Sequence, residues 1–241
     1  MHARMRRGIR RAAEERSVRS IVIVSGEQEH SDPWHGLAET SAALAEVLGV
    51  QGSVRTVGTA DDGLAEAIAS ADVLVVNVSG DLAAEPADSR AVVELLDAHS
   101  AAGKGLLAVH SSSLAFSDDP RWVELLGGRW VPGRTMHPQI GHALVQATDE
   151  GRDAVTGFDD FVLYDERYTA LETRCEDRIL AVHTEDGMTH PLVWLRESAD
   201  RGGDDRGRVA YDALGHGVES FDSAEHRRLL AQLLDWVDDR S

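Results

Sequence analysis

Four consecutive apolar residues, Leu106-Leu107-Ala108-Val109, run directly into four polar ones, His110-Ser111-Ser112-Ser113. An unbroken apolar run this short belongs to a strand covered on both faces, as at the centre of a parallel sheet; a strand with one wet face would alternate. The sudden change in polarity marks the carboxyl end of that strand. Open α/β sheets bind ligands just outside the carboxyl ends of their strands, so His110 is expected at the rim where a site forms.

The segments on either side repeat the pattern. Ile21 to Val24 reads as a strand ending at Ser25-Gly26, followed by a polar loop, Glu27 to His35, and a helix with Leu37, Leu44, Val47 and Leu48 on one face and the small Thr40 between them. Ser53 to Val57 and Val73 to Val78 read as strands, with Asp61 to Ser70 and Ser89 to Ala102 as helices. In the second helix Val92, Leu95, Leu96 and His99 share a face. Strands separated by helices imply right-handed βαβ crossovers and a parallel sheet. After the central strand the rhythm changes. Asp119 to Leu126 reads as a helix stopped by Gly127-Gly128, and Trp130 to Gly133 as loop or edge. His142 to Thr148, Phe161 to Tyr164, Ile179 to His183 and Pro191 to Leu195 read as strands too close together for full helices between them, which predicts an antiparallel extension. Asp200 to Asp205 reads as a hairpin loop and Val209 to Leu214 as a returning strand. A last helix carries Leu229, Leu230, Leu233, Leu234 and Val237, with Asp222 as its cap and Glu225 completing a capping box. The fold class is therefore α/β: a three-layer, doubly wound, mostly parallel sheet with an antiparallel extension.

Composition narrows the function. The 241 residues are 42% hydrophobic, enough for a substantial core, and the formal charge of −18 repels phosphate backbones and anionic lipid surfaces. Nucleic acid and membrane partners are not expected. No run reaches the roughly 18 apolar residues a membrane span needs, and the one cysteine, Cys175, has no internal disulfide partner. A cytoplasmic protein is expected. Residues 1–19 carry seven arginines against Glu14 and Glu15 and read as a basic disordered leader ahead of one domain over 20–241. The apolar helix faces leave room for a homodimer.

A family resemblance emerges from motifs in a fixed order: Leu107 to Ser111, then Trp122 to Gly128, His137-Pro138, Asp165 to Tyr168, Pro191 to Trp194, Gly207 to Val209 and Leu214 to His216. Over about Ser20 to Val237 the chain resembles the ThuA-like (trehalose-utilisation protein A) family. The resemblance implies a flavodoxin-like fold of the class I glutamine amidotransferase-like superfamily and a bacterial role in sugar or disaccharide catabolism. Amidotransferases of that superfamily place a cysteine nucleophile where this chain has His110, and pair it with a histidine and a glutamate two residues apart. Here Cys175 lies in a polar connection, and Glu219 follows His216 by three residues. A thioester mechanism needs a thiolate beside a base, so glutamine hydrolysis is not expected.

The polar groups at the strand ends define the candidate site. Imidazole and carboxylate exchange protons near neutral pH, which makes Glu166 the expected general acid or base, with His110 and His216 orienting substrate and stabilising charge. Ser25, Gly26, His35, Ser111, His137, Asp165 and Tyr168 are placed with the substrate-binding residues. His30 is expected to be solvated, and His142, His183 and His190 to be structural. Each rim residue has a plainer role open to it as a hydrogen-bonded turn or cap. No HExxH and no close Cys/His cluster assigns a metal ligand; a divalent ion such as zinc requires His35, His110, Glu166 and His216 to converge from separate loops. Ser25-Gly26-Glu27 and Ser79-Gly80-Asp81 are single-glycine turns, so no nucleotide cofactor is implied. The favoured function is an enzyme acting on a sugar or oxidised sugar derivative by isomerisation, lyase-type cleavage or hydrolysis. The alternative is a non-catalytic sugar- or partner-binding protein on a degenerate amidotransferase-like scaffold.

Overall fold

A computed structural model describes residues 18–84, 88–174, 177–197 and 206–238. Residues 1–17 of the leader expected over 1–19, Cys175 and the hairpin expected at Asp200 to Asp205 lie outside these residues, while Arg19 pairs with Asp235 of the last helix. The first half alternates as its hydrophobic pattern requires: β1 (Ser20–Ser25), α1 (Leu37–Leu48), β2 (Ser53–Gly58), α2 (Leu64–Ser70), β3 (Val73–Asn77), α3 (Arg90–Ala101) and β4 (Gly105–Val109). Every residue of β3 and β4 is buried, as expected of strands covered on both faces. Thr40 fills the gap on α1, and its hydroxyl accepts a hydrogen bond from the Asn77 side chain at 2.9 Å.

The second half contains α4 (Pro120–Leu126), β5 (Gly128–Arg129), β6 (Gly141–Ala147), α5 (Asp149–Ala154), β7 (Phe161–Asp165), β8 (Glu172–Thr173), β9 (Arg178–Glu185), β10 (Met188–Arg196), β11 (Val209–Asp212) and α6 (Ala224–Val237). Asp119 caps α4 through the Arg121 amide, Pro120 occupies the first turn, and Gly127 at φ +82° ends the helix. The cap of α6 is corrected by one residue. Ser223 accepts from the His226 amide, while Asp222 closes the preceding 3-10 turn. The short α5, capped by Thr148, was not visible in the apolar pattern because only Gly151 is buried. β9 and β10 are longer than their apolar stretches because Asp186 and Gly187, at φ +50° and +76°, join them in a tight hairpin.

Nine strands make one sheet in the order β2-β1-β3-β4-β11-β10-β9-β6-β7. The first five pair in parallel and the last four antiparallel, giving the doubly wound sheet with its antiparallel extension. α1 and α6 pack together on one face of the parallel part, and α2, α3 and α4 pack in series on the other. The chain runs outward from β1 to β2, then returns to β3 on the other side of β1. That reversal leaves a crevice above the strand ends, where the loops after β1 and β3 diverge. The extension curls back towards it. Asp165 closes β7, four strands away from β11, yet its carboxylate accepts hydrogen bonds from the amides of Gly215 and His216 just beyond β11.

Candidate functional site

The site is built from the ends of four strands. His110 is the first residue past β4, where the chain leaves the sheet in a 3-10 turn with φ +45°, a conformation that costs a residue with a Cβ roughly 1 kcal/mol. Three contacts hold it there. The ring Nδ1–H donates to the Ala213 carbonyl at 2.7 Å, the Tyr211 hydroxyl donates to the His110 carbonyl at 2.7 Å, and the Tyr168 hydroxyl meets Nε2 at 2.8 Å. With Nδ1 committed as a donor to a carbonyl, Nε2 carries the lone pair and accepts from Tyr168.

His35 arrives from the loop after β1, fixed by Asp32. The Asp32 carboxylate accepts from the Trp34 and His35 amides at 2.7 and 3.0 Å, and from His35 Nδ1 at 2.6 Å. The Ser79 hydroxyl, at the end of the β3 crossover, donates to the same carboxylate. Burial pushes Asp32 up, but the hydrogen bonds from His35 and Ser79 outweigh it and bring it down to about 2. Burial lowers His35, against Asp32, and its Nε2 is left buried with no hydrogen-bond partner.

Glu166 and His216 are aligned by the same buried carboxylate. Asp165 is 1% exposed and accepts from the amides of Glu166, Gly215 and His216 at 2.8, 2.7 and 3.1 Å, and from the Ser220 hydroxyl at 2.6 Å. Gly215, at φ +108°, makes the turn that aims His216 inwards. Behind this lies a second buried set. His226 places Nδ1 against the Ser220 hydroxyl and carbonyl at 3.0 and 3.1 Å and Nε2 against Asp212 at 2.9 Å. Burial opposes the His226 charge, but Asp212 prevails and raises it.

The result is a triangle of imidazoles closed by a carboxylate. Ring centroids of His35, His110 and His216 lie 4.9–5.4 Å apart, and Glu166 Oε2 is 3.2 Å from His216 Nδ1 and 3.7 Å from His110 Nε2. Burial pushes Glu166 up, but the imidazoles of His110 and His216 beside it hold it well below the usual carboxylate range. His216 is raised by Glu166. A carboxylate held this low stays ionised at neutral pH beside the two imidazoles. His137 reaches Glu166 Oε1 at 3.5 Å from the exposed rim.

Above the cluster opens a cleft of about 620 Å³, walled by Trp34, Trp130 and Leu114 and floored by His35, Glu166, Tyr168 and His216. An adjoining hollow of about 1040 Å³ around His30 shares Asp32, Leu82 and Leu114 with it. That hollow has an acidic rim, at Glu29, Asp81, Asp88 and Asp118, but the convergent imidazoles belong to the smaller cleft.

Several expected residues stay away from the cleft. The Ser25 hydroxyl is buried among Leu37 and Ser41, and a Cβ on Gly26 would lie 2.1 Å from the His30 carbonyl, so both serve packing under α1. Ser111 donates to the Val78 carbonyl from full burial, and Asp165 has both oxygens engaged below the floor. His30, expected in solvent, is buried against Phe116 with its Nε2 near Ser89, because the loop folds down over the end of β3. His183 and His190 are buried with backbone partners, Tyr168 O and Ala170 N, while His142 is exposed on β6. Asp32, Trp34 and Trp130 were missed. The run Asp32-Pro33-Trp34-His35 carries the signal for the first, an Asx turn that returns a carboxylate to the histidine three places on.

Comparison with known proteins bears on the family and the fold. A family model described as ThuA, trehalose utilisation, matches residues 20–237. The chain is similar in structure to a protein of Parabacteroides merdae described as ThuA-like, with a TM-score of 0.69, 17% identity, and 92% of this chain and 90% of that one covered. A ThuA-like protein of Bacteroides uniformis gives 0.67 at 16% identity, with 94% of each chain covered. A glutamine amidotransferase of Thermotoga maritima gives 0.53 at 8% identity, over 92% of this chain and 98% of that one, and shares the flavodoxin-like amidotransferase fold. No curated protein matches the sequence.

Proposed function

The chain belongs to the ThuA family, and from that premise we propose that it is an enzyme of carbohydrate metabolism, acting on a sugar or an oxidised sugar derivative at the cleft above His35, His110, Glu166 and His216. One observation carries the reading. Indole walls and a cluster of imidazoles with one ionised carboxylate meet in a single cleft. The indoles of Trp34 and Trp130 suit the C–H faces of a pyranose ring, and the floor suits its hydroxyl or carbonyl oxygens. The volume of about 620 Å³ falls in the range of small-molecule sites.

Amide transfer from glutamine is not part of this reading. His110 occupies the turn after β4, and the described residues include no cysteine. Among the described residues, thiolate attack therefore has no nucleophile in the cleft. Glu166 is assigned to fixing charge and His35 and His216 to contacting the reacting oxygen, with Tyr168 and Asp32 as positioning residues. The test is a panel of disaccharides, oxidised disaccharides and sugar acids, incubated with the full chain with and without added divalent metal. Binding is followed by calorimetry and products by mass spectrometry. Consumption of a panel member that is lost in Glu166→Gln, with Trp130→Ala raising KM several-fold, is the expected result. Binding without consumption under every condition would leave a binding protein and overturn the enzymatic reading.

A further inference from the structure

We propose that His35, His110, Glu166 and His216 bind one first-row divalent cation of the zinc type, through three imidazole nitrogens and a carboxylate oxygen. The four donor atoms come from loops after β1, β4, β7 and β11, and all lie within 4.8 Å of one another. Bond lengths of about 2.0–2.1 Å to zinc put tetrahedral donors about 3.4 Å apart. Glu166 Oε2 already sits 3.2 and 3.7 Å from the His216 and His110 nitrogens.

One nitrogen calls for a partner that the described residues do not supply. His35 Nε2 is buried without a hydrogen bond, its side chain only 9% exposed, and His216 Nδ1 has only the Glu166 carboxylate, at 3.2 Å. Leaving an atom such as His35 Nε2 unpaired costs about 1–3 kcal/mol, whereas a cation uses its lone pair directly. The outer contacts are those of metal-bound histidines. His35 donates its other nitrogen to the Asp32 carboxylate and His110 donates its own to the Ala213 carbonyl, which fixes both tautomers with Nε2 turned inwards. Magnesium and calcium take oxygen donors, so a set of three imidazoles and one carboxylate selects zinc, cobalt, nickel, iron or copper.

The cleft brings solvent to the His35, Glu166 and His216 side of the cluster, giving the ion a way in. His110 Nε2 now accepts from the Tyr168 hydroxyl, and the ion takes that lone pair in its place. Tyr168 therefore competes with the metal. Four protein donors fill a tetrahedral shell, so joined to the sugar reading the ion would polarise a substrate oxygen only by taking it as a fifth ligand.

The experiment uses the full chain, stripped with a chelator and dialysed. Zinc is titrated by calorimetry against a competing chelator, and cobalt is followed by its visible absorption. One equivalent should bind, with cobalt showing the intensified bands of a low-symmetry site. Glu166→Gln and His216→Gln should each weaken zinc at least tenfold, Asp32→Asn by about 10- to 100-fold, and Tyr168→Phe should not weaken it. Thermal unfolding of each metal-free variant shows that it is folded. Absence of a stoichiometric site, or affinity within twofold of wild type in both Glu166→Gln and His216→Gln, overturns the proposal. No sugar enters this measurement, so a chain that binds zinc but consumes no sugar sinks only the preceding reading.

Discussion

Acidification should find one identifiable weak point away from the cleft. His99 lies near the end of α3, 5% exposed, with Nε2 against the Gly105 carbonyl at 3.2 Å, where β4 begins. Burial pushes its pKa from 6.5 down to about 4, against hydrogen bonds to the Gly105 and Ile68 carbonyls and with help from the Lys104 charge. Because the folded value is the lower one, the stability attached to neutral His99 is complete above pH 6.5. It is lost as the pH falls towards 4, where the unfolded chain takes up a proton that the fold resists. At 1.36 kcal/mol per unit, the loss relative to pH 7 is about 2 kcal/mol at pH 5 and about 3 kcal/mol at pH 4. The perturbation is His99→Gln, which keeps a donor for the Gly105 carbonyl and does not titrate. Urea unfolding of both proteins from pH 7 to 4 should show the wild-type midpoint falling further, by about 0.7 M at pH 5 for an m-value of about 3 kcal/mol/M. Carboxylates common to both proteins cancel in the difference. Parallel curves would refute the reasoning. A wild type that gains on the variant would show that the two carbonyls, and not burial, set the charge on His99.

Two further outcomes test the scaffold. Gly207→Ala should destabilise the fold by several kcal/mol in a chemical denaturation, about 3 or more, since its Cβ would fall 1.7 Å from the Lys104 carbonyl and force apart the backbones leading into β4 and β11. Asp165→Asn should cost about 2 kcal/mol or more by the same assay, because the amide replaces an acceptor used by three backbone N–H groups and the Ser220 hydroxyl. It should also weaken zinc binding although Asp165 touches no ion.

Much of the architecture was legible because burial on both faces writes itself locally. The runs at Ile21 to Val24, Val73 to Val76 and Leu106 to Val109 have to be central strands whatever else the chain does. The helix between two such strands then fixes the parallel order. Element ends were less legible. Ser223 and Asp222 are both good caps by composition, and only the backbone at the start of α6 chooses between them. The hairpin at Asp186-Gly187 extends strands past their apolar residues through backbone pairing that no hydrophobic pattern records.

By itself the sequence determined that His110 and His216 follow buried strands at the carboxyl edge of a sheet, that Glu166 follows another strand, and that the residue leaving the central strand is a histidine and not a cysteine. Whether these groups meet was decided in three dimensions. β7 lies at the far edge of the sheet, and the curl of the extension, locked by Asp165 on the Gly215 and His216 amides, is what returns Glu166 to the histidines. Likewise, Asp32 became part of the site only because the loop after β1 folds back on Ser79. Strand identity is a property of neighbours along the chain, set by which faces are dry. Convergence depends on sheet curvature and on buried hydrogen bonds between residues about fifty positions apart, and these form only in the folded chain.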